Sequence, residues 1–240
     1  MIVDDGNTLV SRASRVREEY EGKGIYRHFD EKAKKMAAGN AKVYALTFHE
    51  ENTALIRQMN NGQVKPIMQR EILHFKISQN EVKGHNLHTN SPETIKRVTS
   101  TDLLEMFSDP DVTETLFPEN RIVCHWIPFR ITKANIPLIM FHSANIVGSF
   151  SPKCTLLTTS HPVRATLGLT CHITVYGTTL DDLRAHLLYH IRQCYDVAIE
   201  EDIHIWIHDT GEWENSIVDI MTDLGFKQQL SLPMKKFYCV

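Results

Sequence analysis

His204 and His208 stand four residues apart in the run Ile203-His-Ile-Trp-Ile-His-Asp209, where Ile203, Ile205 and Ile207 alternate with His204, Trp206 and His208. A strand with that alternation has one aliphatic face and one face of two imidazoles and an indole. Imidazole ionises near neutrality, so His208, close to the strand's end, has the chemistry of a general base acting on an amine, with Asp209 or Glu212 to orient it or to hold a cationic substrate. The competing reading is an imidazole packed under a helix and satisfied by a neighbour. His186 and His190 are spaced i,i+4, which on a helix can clamp zinc, and His172 lies on a strand expected nearby. No third ligand is fixed by spacing and the pair is expected off the Leu183/Leu187 stripe, so no metal site is expected. The cysteines at 124, 154, 171, 194 and 239 form no CxxC pair. His172 points away from Cys171 on a strand, so the thiols read as buried, not nucleophilic.

The elements that must position these groups are best signalled from Cys171 to Phe226. Cys171–Gly177 reads as a strand ended by Gly177. Leu180, Leu183, Leu187, Leu188, Ile191 and Cys194 then form one stripe of a helix, with Thr179 and Asp182 spaced as a capping box. Ile203–Asp209 is the second strand, and Trp213–Leu224 an amphipathic helix with Gly225 as its left-handed cap. Two parallel strands joined by a helix are implied. Upstream, residues 1–40 read as a polar, loosely packed lead-in and 41–240 as a single domain. Ala41–Phe48 reads as a strand, and Glu50–Asn60 as a helix stopped by Asn61-Gly62. Ile67–Ile77 satisfies both helix and strand periods. Gln79–Pro92 reads as an exposed loop, and Thr101–Phe107 as a short helix. Arg121–Ile131 and Ile136–Val147 read as a hairpin, with Ser149–Leu169 as a Ser, Thr and Pro-rich connection. The tail from Lys227 supplies two strand-like pieces.

At 240 residues, 42% of them hydrophobic, the chain can bury a substantial core, and a net charge of −3 exerts no pull toward nucleic acid or an anionic membrane. No apolar run approaches the roughly 20 residues of a membrane helix, and no signal-peptide core is evident, so an intracellular, cytoplasmic protein is expected. Between Gln193 and Phe226 there is no Lys or Arg, while acids accumulate from Glu200 to Asp223. That end is expected to be electronegative and to suit an amine substrate or a protein with a basic patch.

The order strand, helix, helix, hairpin, strand, helix, strand, helix, final strand pair resembles the GNAT superfamily of acyl-CoA-dependent N-acyltransferases, and Leu224-Gly225-Phe226 resembles its common closing motif. The resemblance implies an α/β (α+β) fold with a mixed, mostly antiparallel central sheet, one parallel strand pair and flanking helices. It implies acyl-CoA as co-substrate, met by Val175, Tyr176, Gly177, Thr178 and Thr179, and transfer to an amine with His208 as base. Members hold the pyrophosphate in a glycine-rich turn at a helix N-terminus. Here Gly177-Thr-Thr-Leu-Asp-Asp182 has one glycine and two carboxylates, each costing about 0.8 kcal/mol against a unit charge at roughly 5 Å in water. That departure motivates an alternative: a catalytically silent protein of this fold that binds a partner, as the ornithine decarboxylase antizymes do on a related fold.

Overall fold

The alternating run around His208 is a strand buried on both faces in the computed structural model, which describes every residue except 12–16, 21, 38–40, 83–94, 167, 178, 199–200, 230–235 and 240. The elements in order are β1 (Ile2–Val3), β2 (Thr8–Ser11), α1 (Ile25–Ala37), β3 (Val43–His49), α2 (Thr53–Asn60), β4 (Met68–Ile77), α3 (Gln79–Val82), β5 (Ile95–Arg97), α4 (Ser100–Ser108) and α5 (Pro110–Leu116). There follow β6 (Arg121–Cys124), β7 (Ile127–Arg130), α6 (Ile136–His142), β8 (Asn145–Phe150), β9 (Cys154–Ala165), β10 (Gly168–Gly177), α7 (Leu183–Val197), β11 (Ile203–Asp209), α8 (Glu214–Asp223), β12 (Lys227–Gln228) and β13 (Lys236–Cys239). The main sheet runs β1-β2-β3-β13-β4-β11-β10-β9-β8-β5, with β12 beside β4, and β6–β7 form a separate hairpin.

The expected parallel pair is β10 with β11, Leu169 opposite Ile203 through Thr174 opposite His208. A second parallel pair, β2 with β3, was not foreseen; the remaining pairings are antiparallel. The aliphatic face of β11 joins Leu73, Phe75 and Ile77 of β4 and Cys171, Ile173 and Val175 of β10 in a core covered by α7 and α8. On the opposite face, α4, α5, α6 and the β6–β7 hairpin build a second core, which takes in Leu157 and Tyr176.

Several segments differ from the sequence expectation for identifiable reasons. Met68–Ile77 is a strand whose two faces are both buried, which erases the alternation that would have distinguished it from a helix. Ile136–His142 is a helix with Pro137 in its first turn, where the missing N–H is harmless. The hairpin instead lies within 121–130 and turns at His125 and Trp126, both at positive φ. The supposed connection after Ser149 contains the long strand β9. Its Thr and Ser side chains face buried partners, and Pro162 falls where β9 no longer has β8 beside it. Residues 1–11 do not read as loose. Val3 and Val10 are buried, and the Asp4 carboxylate accepts from Thr8 Oγ1 (2.7 Å), Asn135 Nδ2 (2.6 Å) and the Arg130 amide (3.0 Å).

The helix after β10 also begins later than the Thr179/Asp182 spacing suggests. Leu180 is exposed, so the stripe that the sheet can cover starts at Leu183, and the residues between form a turn in which the Asp181 amide donates to Thr179 Oγ1 at 3.3 Å. Gly177 opens that turn at φ +149°, where a Cβ would lie 2.5 Å from the Thr155 carbonyl oxygen and 2.9 Å from Leu156 Cα. Both obstacles are backbone. Gly177→Ala should lower the unfolding free energy by about 2 kcal/mol or more; an unchanged urea midpoint would show that the turn tolerates a side chain.

Candidate functional site

Because β4, β9, β10 and β11 are neighbours in register, residues far apart in sequence share one face. His204, Trp206 and His208 of β11 lie beside His74 of β4 and His172 of β10, and His172 lies opposite His161 of β9. The rings form a row. His74 stands between His204 (5.2 Å between centroids) and Trp206 (4.3 Å), and His172 stands between Trp206 (5.9 Å) and His208 (5.4 Å). Two hydrogen-bonded imidazole pairs result, His74 Nε2 with His204 Nδ1 at 3.0 Å and His172 Nδ1 with His208 Nε2 at 3.1 Å.

The β6–β7 turn closes over the second pair. His125 stacks on His161 at 3.8 Å, and the Trp126 indole meets His49, His172 and His208 edge-on at 5.0, 5.2 and 5.0 Å. The hairpin is clamped to β10 by the Val123 amide, which donates to Tyr176 Oη at 2.6 Å. Beneath the tip lies a cavity of about 10 Å³ lined by His125, Trp126, His161, His172, Thr174 and His208, room for about one water. Burial, reinforced by neighbouring imidazoles, holds His172 down to about 3 and His208 well below its ordinary value of 6.5. Both are therefore neutral at physiological pH.

His208 is where the sequence reading placed it, at the last paired rung between β10 and β11, but its foreseen helpers are not. Alternation sends Asp209 to the other face, where its carboxylate accepts from the Gly211 and Trp213 amides at 3.1 and 3.0 Å ahead of α8. Glu212 is exposed. His172 is the group that meets His208, and it is partly exposed while His208 is buried. Of the residues expected around the cofactor, Val175 is packed in the core under α7 and Tyr176 in the core on the opposite face. Gly177 ends the strand, Thr179 is partly exposed, and Thr178 lies outside the described residues. His125, His161 and His74 do not stand out in the sequence as site residues. Two consecutive bulky residues after Cys124 concealed a turn that ordinarily takes Asn or Gly, and period-two alternation through Thr159 and His161 was the available signal for β9.

His186 and His190 are fully buried, contrary to the expectation that they lie off the core stripe. They meet a hydroxyl chain instead of a metal. Thr158 Oγ1 lies 2.8 Å from His186 Nδ1 and 2.7 Å from His190 Nε2, and Ser149 Oγ lies 2.8 Å from His186 Nε2. His190 Nδ1 is buried without a hydrogen-bond partner, and a bare lone pair costs less than a bare N–H. The proton order follows: His190 Nε2–H donates to Thr158, Thr158 to His186 Nδ1, and His186 Nε2–H to Ser149. Among the described residues no group of three or more His, Cys, Asp or Glu is placed to hold a metal ion. The five cysteines are free and buried, and burial pushes Cys124 and Cys154 up to about 12.

The acidic stretch is partly neutralised from elsewhere in the chain: Glu201 pairs with Arg164 (3.1 Å), Asp202 with Lys76 (2.7 Å) and Asp223 with Arg184 (3.2 Å). Glu212, Glu214 and Asp219 stay exposed.

This architecture is GNAT-like. A GCN5-related N-acetyltransferase from Sphaerobacter thermophilus superposes with a TM-score of 0.50 at 12% identity, over 99% of this chain and 73% of that one. An acetyltransferase of the GNAT family from Colwellia psychrerythraea aligns at a TM-score of 0.41 and 10% identity, over 99% of this chain and 78% of that one. Identities this low establish the fold alone. Residues 91–207, just under half of the chain, match the family model of the C-terminal domain of histidine N-acetyltransferase. No curated protein matches the chain. Among the described residues no helix is long and apolar enough to cross a membrane.

The buried imidazoles make stability depend on pH. His74 and His186 are held to about 4, His172 and His190 to about 3, and His208 well below 6.5, each chiefly by desolvation. The unfolded chain takes up protons that the folded chain refuses, so stability is complete above about pH 6.5 and is lost on acidification. An imidazole held to about 4 or below costs about 2 kcal/mol by pH 5. Urea titrations should show the midpoint collapsing between pH 6.5 and 5; equal midpoints at pH 7 and 5 would contradict this.

Proposed function

We propose that the protein transfers an acyl group from acyl-CoA to the nitrogen of an amine, at the point where β10 and β11 part. The observation that carries this reading is the end of the parallel ladder. Pairing stops at Thr174 and His208, while β10 continues to Gly177 against β9 alone. Past that rung β11 has one further residue, Asp209, so Val175–Gly177 of β10 have no β11 partner beside the His172–His208 pair, on a GNAT-like fold. Acyl-CoA would supply the thioester carbonyl that the amine attacks. The chain's residues suit the anionic end of that molecule in one respect, because the 15-residue helix α7 follows β10 through a short turn and presents the positive end of its dipole there. The Asp181 and Asp182 carboxylates oppose it.

The acceptor must lose a proton as it attacks. The reading requires His172 Nδ1–H to donate to His208 Nε2 (3.1 Å), which leaves the lone pair on His172 Nε2 to hold that proton, with His208 fixing the ring behind it. The base is therefore His172 in this reading, with His208 as a positioning residue. Trp126 and His125 exclude water above the pair. The family match runs from β5 into β11, taking in His172, the β6–β7 turn and β9. It supports an amino acid as acceptor, with the α-amino group of histidine the first to test.

Calorimetry with acetyl-CoA, and thiol release on adding histidine, test the proposal. His172→Gln should reduce kcat by about 10²- to 10⁴-fold while leaving acetyl-CoA affinity unchanged. Absence of acetyl-CoA binding at millimolar concentration would refute the activity, and full turnover in His172→Gln would remove the base.

A further inference from the structure

Helix α1 lies outside the acyl-transfer site and is built unlike the other helices. Ile25, Phe29, Ala33 and Met36 recur at helical spacing, yet Phe29 is 63% and Met36 81% exposed, and Ile25 and Tyr26 are exposed as well. This stripe continues onto the sheet edge. Phe29, Lys32, Ala33 and Met36 line an open groove of about 610 Å³ with Ile2 and Leu9 from the β1–β2 hairpin.

Charge is sorted around the stripe. Lys32 and Lys35 border its outer side, while Arg27 and Lys34 fall on the far side of the helix. The acids are turned away. Asp30 accepts from Tyr44 Oη of β3 at 2.6 Å and pairs with Lys34 at 2.7 Å, and helical spacing puts Glu31 on the side opposite Phe29 and Met36. An apolar face bordered by cations, on a helix of low overall hydrophobicity, suits the boundary between lipid headgroups and acyl chains, where apolar side chains enter and Lys or Arg meets phosphate. At 13 residues the helix is about 20 Å long, so it would lie in the interface without spanning it.

We propose that α1 and the adjoining β1–β2 edge dock the protein on a membrane surface containing anionic lipid. Such docking differs from the membrane helix that the sequence excludes, and it is independent of the acyl-transfer reading. A second copy of the chain is the less suitable occupant, because a two-fold contact through this face would bring the Lys32 and Lys35 borders of both copies together.

The test is co-sedimentation of the full chain with vesicles of phosphatidylcholine alone and with about 30% phosphatidylserine. Binding should be at least about tenfold tighter to the anionic vesicles and should weaken as salt is raised. Phe29→Glu/Met36→Glu and Lys32→Glu/Lys35→Glu should each lose about tenfold or more. Both pairs lie on the surface, so the thermal unfolding midpoint and acyl-transfer turnover on a soluble acceptor should be unchanged. Wild-type protein left in the supernatant with anionic vesicles overturns the proposal, as does equal binding by the Phe29→Glu/Met36→Glu variant. Sedimentation equilibrium separates the alternative: a wild-type dimer that this variant dissociates, with no vesicle binding, would make the face a subunit interface.

Discussion

The rung joining Thr174 to His208 is the constraint on which the rest of the site depends. Up to it, β10 and β11 are held by a parallel ladder; beyond it, β10 follows β9 and β11 has only β4. Both strands are held on their outer edges by long antiparallel ladders, β10 against β9 and β11 against β4. The chain must also leave β10 at once and return as a helix. Gly177 permits that departure against the Thr155 backbone, and the Thr158 hydroxyl then ties His186 and His190 of α7 to β9. The polar network on the helix face and the imidazole pairs on the other face are thus consequences of the same strand geometry.

Placing neutral imidazoles in that geometry has an energetic logic. His74 and His204, His172 and His208, and His186 and His190 are each hydrogen-bonded to another imidazole or to a hydroxyl. A carboxylate beside His208 would raise its pKa and favour the cation. Alternation removes that possibility, because Asp209 faces α8 and satisfies amides ahead of that helix. The His172–His208 pair is left uncharged and desolvated.

What was legible in the sequence follows from how each segment is buried. β11, with aliphatic side chains on one face and rings on the other, was read residue for residue, as was the cap at Gly225, observed at φ +82°. β4, packed on both sides, gave an ambiguous period, and β9 was hidden by its hydroxyl-rich composition, although Thr158 and Ser160 are buried. Residues 1–11 look loose because the group that anchors them is a carboxylate, Asp4, whose partners Arg130 and Asn135 lie more than 120 residues away. His208 was found because alternation and a strand end are local signals. His161 and His125 are not legible in the sequence because only strand pairing brings them to it.

The His125–Trp126 turn shows how far side-chain placement can outweigh backbone preference. Left-handed φ values of 49° and 68° at two consecutive non-glycine residues cost about 1–2 kcal/mol each, and Asn-Gly would avoid most of that. Such a substitution would also delete the rings that stack on His161 and meet His172 and His208. The strain is held in place by the Val123–Tyr176 hydrogen bond and by the packing of Ile122, Ile127 and Phe129, all fully buried. The space beneath the tip accommodates about one water, so in the proposed reaction an acceptor entering it would meet His125 and Trp126. The residues that shield the imidazole pair from solvent are thus also the ones an acceptor must contact first, which makes the turn the place where acceptor selectivity would be exercised.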